Sequence, residues 1–147
     1  MVNTIVHALF KSNKGLAMII SILLIALIGA AISTYASIVE QKIKDNPEYK
    51  PACDLSDIIS CSKPMASPYS KLFFVSNTWL GLAYYGCMII LAIMNYATIA
   101  FYLACGGVAM SAVFAYLLYF KIKALCLVCT SIYLVNIALL VATYLYV

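Results

Sequence analysis

The chain has 147 residues, is 66% hydrophobic and 10% charged, and carries a net charge of +4 with lysine as its only strongly basic residue. Soluble domains run about 45–50% apolar and about 25% charged, so this composition indicates an integral membrane protein of one domain. No basic block is long enough for nucleic acid, and the lysines flank apolar runs where such side chains snorkel.

In chain order, the first uncharged run is Gly15 to Val39, 25 residues. It far exceeds the roughly 7–15 residues of a signal-peptide core, so it is read as a retained anchor, a first span over about 15–39. A polar stretch follows over about 40–71. It holds all five acidic residues, five of the nine lysines and all four prolines. Pro47 and Pro51 exclude a continuous helix there. "LSDII" (55–59) has the composition of a short helix, and "SPYSKLFF" (67–74) that of an amphipathic piece along the membrane surface. The next uncharged run, Leu72 to Phe120, is 49 residues. A crossing takes roughly 20 residues, so this run folds back once, near Asn95–Thr98, giving spans over about 75–95 and 98–120. The last run gives a span over about 124–147. Backbone polar groups in lipid must be satisfied internally, and the alternating polar pattern of a barrel is missing. The expected fold is an all-α integral membrane protein: one domain, 1–147, a four-transmembrane-helix bundle with one large loop between helices 1 and 2.

Four spans put both termini on one side and the loop, with the head of the last span, on the other. Orientation is contested. The positive-inside rule counts Lys11 and Lys14 against Lys42, Lys44, Lys50, Lys63, Lys71, Lys121 and Lys123, which places the loop in the cytosol. The loop-side thiols argue the reverse, because a reducing cytosol would keep them reduced. The redox argument is given the greater weight. The expected location is a bacterial or archaeal cell membrane, or the ER membrane, with the loop on the extracytoplasmic or lumenal side.

Six cysteines sort by position. Cys87 and Cys105 fall deep in the second and third spans, where free cysteine behaves as a small buried hydrophobe. Cys53 and Cys61 lie in the loop. Cys126 and Cys129 open the last span, three residues apart, on one helix face and within disulfide reach. A helix N-terminus favours thiolate, which makes such a pair reactive. Steps of 3, 7 and 10 from Cys126 reach Cys129, Tyr133 and Asn136, a stripe of thiol, thiol, phenol and amide. Polar groups inside a membrane bundle are functional candidates. The second span opens "SNTWLGLAYYG", with Asn77, Gly81, Tyr84 and Tyr85 at matching depth. Aromatic walls with amide donors describe a quinone pocket. An interfacial belt of Trp79 and the tyrosines is the alternative, and composition alone favours the belt.

Taken together, "CDLSDIISCS", "SNTWLG" and "CLVCTSIYLVN", in that order along nearly the whole chain, resemble the vitamin K epoxide reductase family of four-helix membrane thiol–quinone oxidoreductases. The resemblance implies that the loop is redox-active, with Cys53 and Cys61 exchanging with an external thiol. It makes Cys126 the partner that Cys61 attacks and Cys129 the thiol that meets the quinone. Asn77 and Tyr133 match the family's quinone hydrogen-bonding residues, with Gly81 and Tyr85 as further wall positions. Ser67 matches a loop serine or threonine, although Ser70 is close enough to compete for that place. The fused thioredoxin-like domain of many bacterial members is not found in these residues. The implied electron donor is therefore a separate thioredoxin-fold protein or other dithiol, and the acceptor is ubiquinone, menaquinone or vitamin K. No metal is expected. Two rivals remain: a four-cysteine zinc site, weakened by the wide loop spacing, and a non-catalytic tetraspan protein with structural disulfides.

Overall fold

The structure is a computed structural model describing residues 2–72 and 75–147, with side chains described for 13–71 and 75–147. Helix α1 runs Val2–Asp45, α2 Ser62–Ala66, α3 Asn77–Ile93, α4 Ala97–Tyr116 and α5 Leu127–Tyr144. A two-residue antiparallel pair, β1 (Lys71–Leu72) and β2 (Val75–Ser76), leads into α3. Among the described residues, three segments are long and apolar enough to cross a membrane: Asn13–Asp45, Ala97–Ile122 and Leu127–Tyr144. The fourth long helix, α3, is equally apolar but has 17 residues.

Several local expectations differ from what forms. The first helix does not stop at Val39 but continues to Asp45. Lys44 bonds Glu40 one turn back at 2.6 Å. Lys42 and Lys44 sit in the last turn, where positive charge suits the helix dipole. Pro47 then ends it, because the residue before a proline is pushed out of helical geometry. "LSDII" is not helical. It forms a bend closed by the amides of Leu55 and Ser56 on the Ile59 carbonyl, and the short helix forms instead at Ser62–Ala66. Within "SPYSKLFF", Pro68–Ser70 makes one tight 3-10 turn before β1; Phe73 and Phe74 lie outside the described residues. Cys87 and Cys105 are exposed on the outer face of the helices, not buried.

The bundle is a ring in which α1 packs on α3 and α5, and α4 packs on α5 and α3. Without a hydrophobic force between helices in lipid, close approach of small residues supplies the packing. The seam between α1 and α3 follows that rule. Gly29, Ser33, Ala36 and Glu40 recur at helical spacing, opposite Tyr85, Gly81 and Thr78. A Cβ at Gly29 would overlap the Tyr85 ring, and one at Gly81 would come within 3.1 Å of the Ser33 hydroxyl. Tyr85 is fully buried with Met88, Ile22 and Leu139. Its hydroxyl donates to Asn136 at 2.8 Å, and the Asn136 amide donates to Ser111 at 2.7 Å. One polar chain thus ties α3, α5 and α4 across the interior.

Between α3 and α4 the chain turns through Asn95 in a left-handed conformation (φ 60°), which asparagine tolerates at a helix end. At the other end α4 widens into a π-type turn over Leu117–Ile122. Lys123, also left-handed (φ 54°), then redirects the chain towards Cys126.

The Gly29 contact is testable. Tyr85 is locked by burial and by Asn136, so Gly29→Ala should cost about 1–3 kcal/mol of overpacking and lower the melting temperature in detergent. A Cβ at Gly107 would meet the Tyr84 hydroxyl and the ring carbons next to it, but Tyr84 borders a cavity and its hydroxyl has no hydrogen-bond partner to hold it, so Gly107→Ala should cost less. Equal losses would show that Tyr85 yields as easily as Tyr84.

Candidate active site

Backbone pairing brings the loop to the head of α5. The Leu125 amide donates to the Ile58 carbonyl at 2.7 Å, and the Ser60 amide donates to the Leu125 carbonyl at 3.0 Å. This is a one-residue parallel bridge, Ile59 to Leu125. Cys61 follows the bridge on the loop side and Cys126 follows it on the helix side. Their sulfurs stand 3.7 Å apart, and both residues are fully buried. Cys61 is disulfide-bonded to Cys53, while Cys126 and Cys129 are free.

Around these sulfurs is an apolar shell that includes Ala36, Val39, Ile43, Met65, Leu118 and Val128. The loop is therefore a packed cap. Cys53 is 8% exposed against 0% for Cys61, so Cys53 is the sulfur nearer to solvent.

Two polar devices hold this geometry. Asp54, next to Cys53, reaches over the start of α2. It accepts from the Cys61 amide at 2.6 Å, the Ser62 amide at 3.1 Å and the Ser62 hydroxyl. A carboxylate there satisfies the free amides of a helix start. Burial works against the charge, but the Ser62 and Cys61 hydrogen bonds outweigh it and hold the Asp54 carboxyl below its ordinary range. Cys126 is itself the cap of α5, and its sulfur accepts from the Cys129 amide at 3.2 Å. A hydrogen bond from the Cys129 thiol, aided by the Cys129 and Val128 amides, overcomes burial and holds the Cys126 thiol below the usual thiol range. Of these two free thiols, Cys126 is the readier to lose its proton.

Below the thiols a cavity of about 130 Å³ opens between α1, α3, the end of α4 and α5. Cys129, Tyr133, Asn77 and Gly81 line it, together with Glu40, Ser70 and apolar side chains. An apolar cavity of roughly 150 Å³ takes a benzene-sized ring, so the space suits one ring of a flat ligand. The Asn77 side-chain amide donates to the Tyr69 carbonyl at 3.1 Å, while its oxygen is buried with no partner. A buried acceptor without a donor is costly, and a ligand donor at that point would relieve it. The residues present therefore fit a small ring with polar substituents.

Of the sequence candidates, Cys53, Cys61, Cys126, Cys129, Asn77, Tyr133 and Gly81 come together. Tyr85 does not reach the cavity beside Cys129. It borders a second cavity of about 200 Å³ that shares Asn77, Gly81, Phe114 and Ile132 with the first, and its hydroxyl is taken by Asn136. Ser67 turns away to donate to the Pro64 carbonyl at 2.7 Å; Ser70 is the loop serine on the cavity wall. Trp79 is 54% exposed, as an interfacial residue would be. Among the described residues, no group of three or more His, Cys, Asp and Glu is placed to hold a metal ion.

Sequence reasoning missed Asp54, Glu40 and the Ile59–Leu125 bridge. The bridge and Asp54 act across the sequence, where no spacing rule reaches. Glu40 had a signal, since it continues the small-residue stripe of Gly29, Ser33 and Ala36.

The family model described as vitamin K epoxide reductase matches residues 20–144. The chain belongs to the vitamin K epoxide reductase family. Among its relatives, vitamin K epoxide reductase complex subunit 1 of Rattus norvegicus is 28% identical over 138 residues, spanning 83% of this chain and 86% of that protein. The Mus musculus protein of the same name is 27% identical with the same coverage. Membership supports an oxidoreductase of thiols and disulfides in a membrane, and a Cys53–Cys61 disulfide is present.

The Asp54 clasp gives a pH prediction. Its folded value is lowered, so its contribution is complete above the ordinary aspartate value of about 3.9 and is lost as pH falls through the lower folded value. Hydrogen exchange should find the Cys61 and Ser62 amides protected at neutral pH and opened only in strong acid. Asp54→Ala should open them at every pH. Protection unchanged in that variant would mean that packing alone holds the loop.

Proposed function

We propose that this chain is a four-span membrane enzyme that passes electrons from an external dithiol to a quinone. The relay runs through Cys53 and Cys61, then Cys126 and Cys129. The observation that carries the reading is the 3.7 Å approach of the Cys61 and Cys126 sulfurs directly above a cavity walled by Cys129, Asn77 and Tyr133. Helix α3 supplies the fourth crossing, since its 17 residues reach the low end of the roughly 17–25 that span a bilayer. The loop faces an oxidising compartment, where a disulfide cycle survives, despite the seven loop-side lysines.

Each transfer balances. The external dithiol attacks Cys53, the better exposed sulfur, and releases Cys61 as thiolate; its second thiol resolves the mixed disulfide and leaves the loop as a dithiol. Cys61 then attacks Cys126 of a Cys126–Cys129 disulfide, and Cys129 leaves as thiolate. Cys53 resolves the Cys61–Cys126 bond, which restores the loop disulfide and leaves the helix pair reduced. That end state has the pairing described above: loop disulfide, free helix thiols. Closing Cys126 and Cys129 to a disulfide releases two electrons and two protons at the cavity. A quinone supplies an acceptor for both. The remaining amide hydrogen of Asn77 and the Tyr133 hydroxyl would donate to its carbonyl oxygens, a contribution that would grow as charge develops there, and the unpaired Asn77 oxygen would accept from the hydroxyl of the quinol formed.

The relatives' name favours a second acceptor, the epoxide of vitamin K. The same two thiols would supply its two electrons and two protons, yielding the quinone and water. Turnover of added epoxide by the purified protein decides between them. The disulfide bond within the loop also removes two of the four thiolates that a zinc site would need.

Replacing Cys129 by serine removes the sulfur that reopens a Cys61–Cys126 bond from the helix side. In the Cys129→Ser protein, with quinone turnover abolished, the Cys126 thiolate should attack Cys61 of the loop disulfide and release Cys53, and alkylating the released Cys53 should trap a Cys61–Cys126 disulfide, found by mass spectrometry as crosslinked peptides. A crosslink from Cys53 to Cys126 would reverse the roles of the loop sulfurs. No crosslink with turnover intact would remove the relay.

A further inference from the structure

Glu40 is a carboxylate at the end of the uncharged run of α1, 3% exposed, and nothing in the electron relay uses it. Its surroundings are specific. One oxygen accepts from Lys44 at 2.6 Å, and the other accepts from Thr78 at 2.8 Å and from the Ser76 hydroxyl. Ser76 and Thr78 also bond each other at 2.8 Å. Residue 77, between them, is the asparagine that lines the cavity and whose side-chain oxygen is buried without a partner. Ser76 is the cap residue of α3, yet its hydroxyl makes no capping bond to that helix. It is turned to Glu40 instead. The carboxylate is compensated by Lys44 and by the start of α3, where the helix dipole favours negative charge.

We propose that Glu40 is a positioning residue for the acceptor site: by fixing the residues on both sides of Asn77, it sets the direction from which the Asn77 amide meets the ligand. This rests on the quinone reading of the cavity. The deeper packing of Tyr85 and Gly81 fixes the body of α3, but its first turn has free amides and only a two-residue strand before it, so the direction of that turn needs a restraint of its own. Glu40 supplies the missing constraint from α1, across the seam held lower down by Gly29 and Gly81. Tyr69 fixes the Asn77 side chain from the loop. Helix, neighbouring helix and loop thus each contribute one restraint to a single amide. A merely structural Glu40 would support folding in general; a positioning Glu40 acts on acceptor binding, and through Asn77.

The test is a double-mutant cycle on the full-length protein in detergent, with dithiothreitol as donor and a short-chain quinone as acceptor. Glu40→Ala should raise the KM for quinone about tenfold, the equivalent of one well-placed hydrogen bond. The KM for dithiothreitol should not change. Glu40→Gln keeps an oxygen for Ser76 and Thr78 and should recover most of the loss. In an Asn77→Ala background, Glu40→Ala should raise the quinone KM no further, because sites acting through one another are not additive. An equal, additive loss in that background would overturn the proposal. So would a Glu40→Gln protein as impaired as Glu40→Ala, since charge and not position would then matter. If Asn77→Ala alone leaves the quinone KM unchanged, the cavity reading fails first and takes this proposal with it.

Discussion

The active arrangement depends on two backbone hydrogen bonds between Ile58–Ser60 and Leu125. They are the points at which the loop is sewn to the start of a membrane helix, and they place the two chain segments in register two residues before Cys61 and one residue before Cys126. Side chains that follow paired residues share a neighbourhood by geometry, so the sulfur approach is a consequence of the bridge. Asp54 fixes the loop segment after the bridge, and the left-handed Lys123 fixes the turn before it. The sulfurs are then enclosed by apolar residues from α1, α2 and α5, which shields them from water.

Two layers divide the work. Deep in the bundle, Tyr85, Asn136 and Ser111 link three helices by hydrogen bonds, and small residues let α1 and α3 touch. This layer is rigid and determines where α3 and α5 stand. Above it, Cys126 caps the start of α5 with its own sulfur, so the atom that begins the helix is also the one to which the proposed relay assigns the exchange. Forming a disulfide at Cys126 would withdraw that cap. The proposed relay would therefore be coupled to the first turn of α5, next to the cavity wall formed by Cys129 and Tyr133.

What the sequence disclosed was governed by periodicity and local chemistry. Uncharged runs located the apolar helices, and the spacing of Cys126, Cys129, Tyr133 and Asn136 placed them on one stripe before any coordinates. The ordered motifs identified the family. The loop was less legible. "LSDII" reads as helical by composition, but its backbone groups are claimed by a bend and by Leu125, contacts set by tertiary structure. The end of α1 was misplaced because Glu40 reads as the first polar loop residue, whereas three donors from α1 and α3 make it a buried one. Tyr84 and Tyr85 are neighbours of equal composition with unequal fates. One hydroxyl is bonded to Asn136 and the other is buried without a partner, a distinction made by helix rotation that no residue pattern encodes.

The measurement that bears most directly on the relay is single-turnover oxidation of fully reduced protein by a short-chain quinone without oxygen. Transfer between the two pairs predicts two equivalents of quinol per chain in two phases, the first from Cys126 and Cys129, the second from the loop through Cys61. Ser60→Pro removes the amide that Leu125 accepts, and should slow the second phase while leaving the first unchanged. A single equivalent from the unaltered protein, or a second phase indifferent to Ser60→Pro, would contradict the sewn-loop relay.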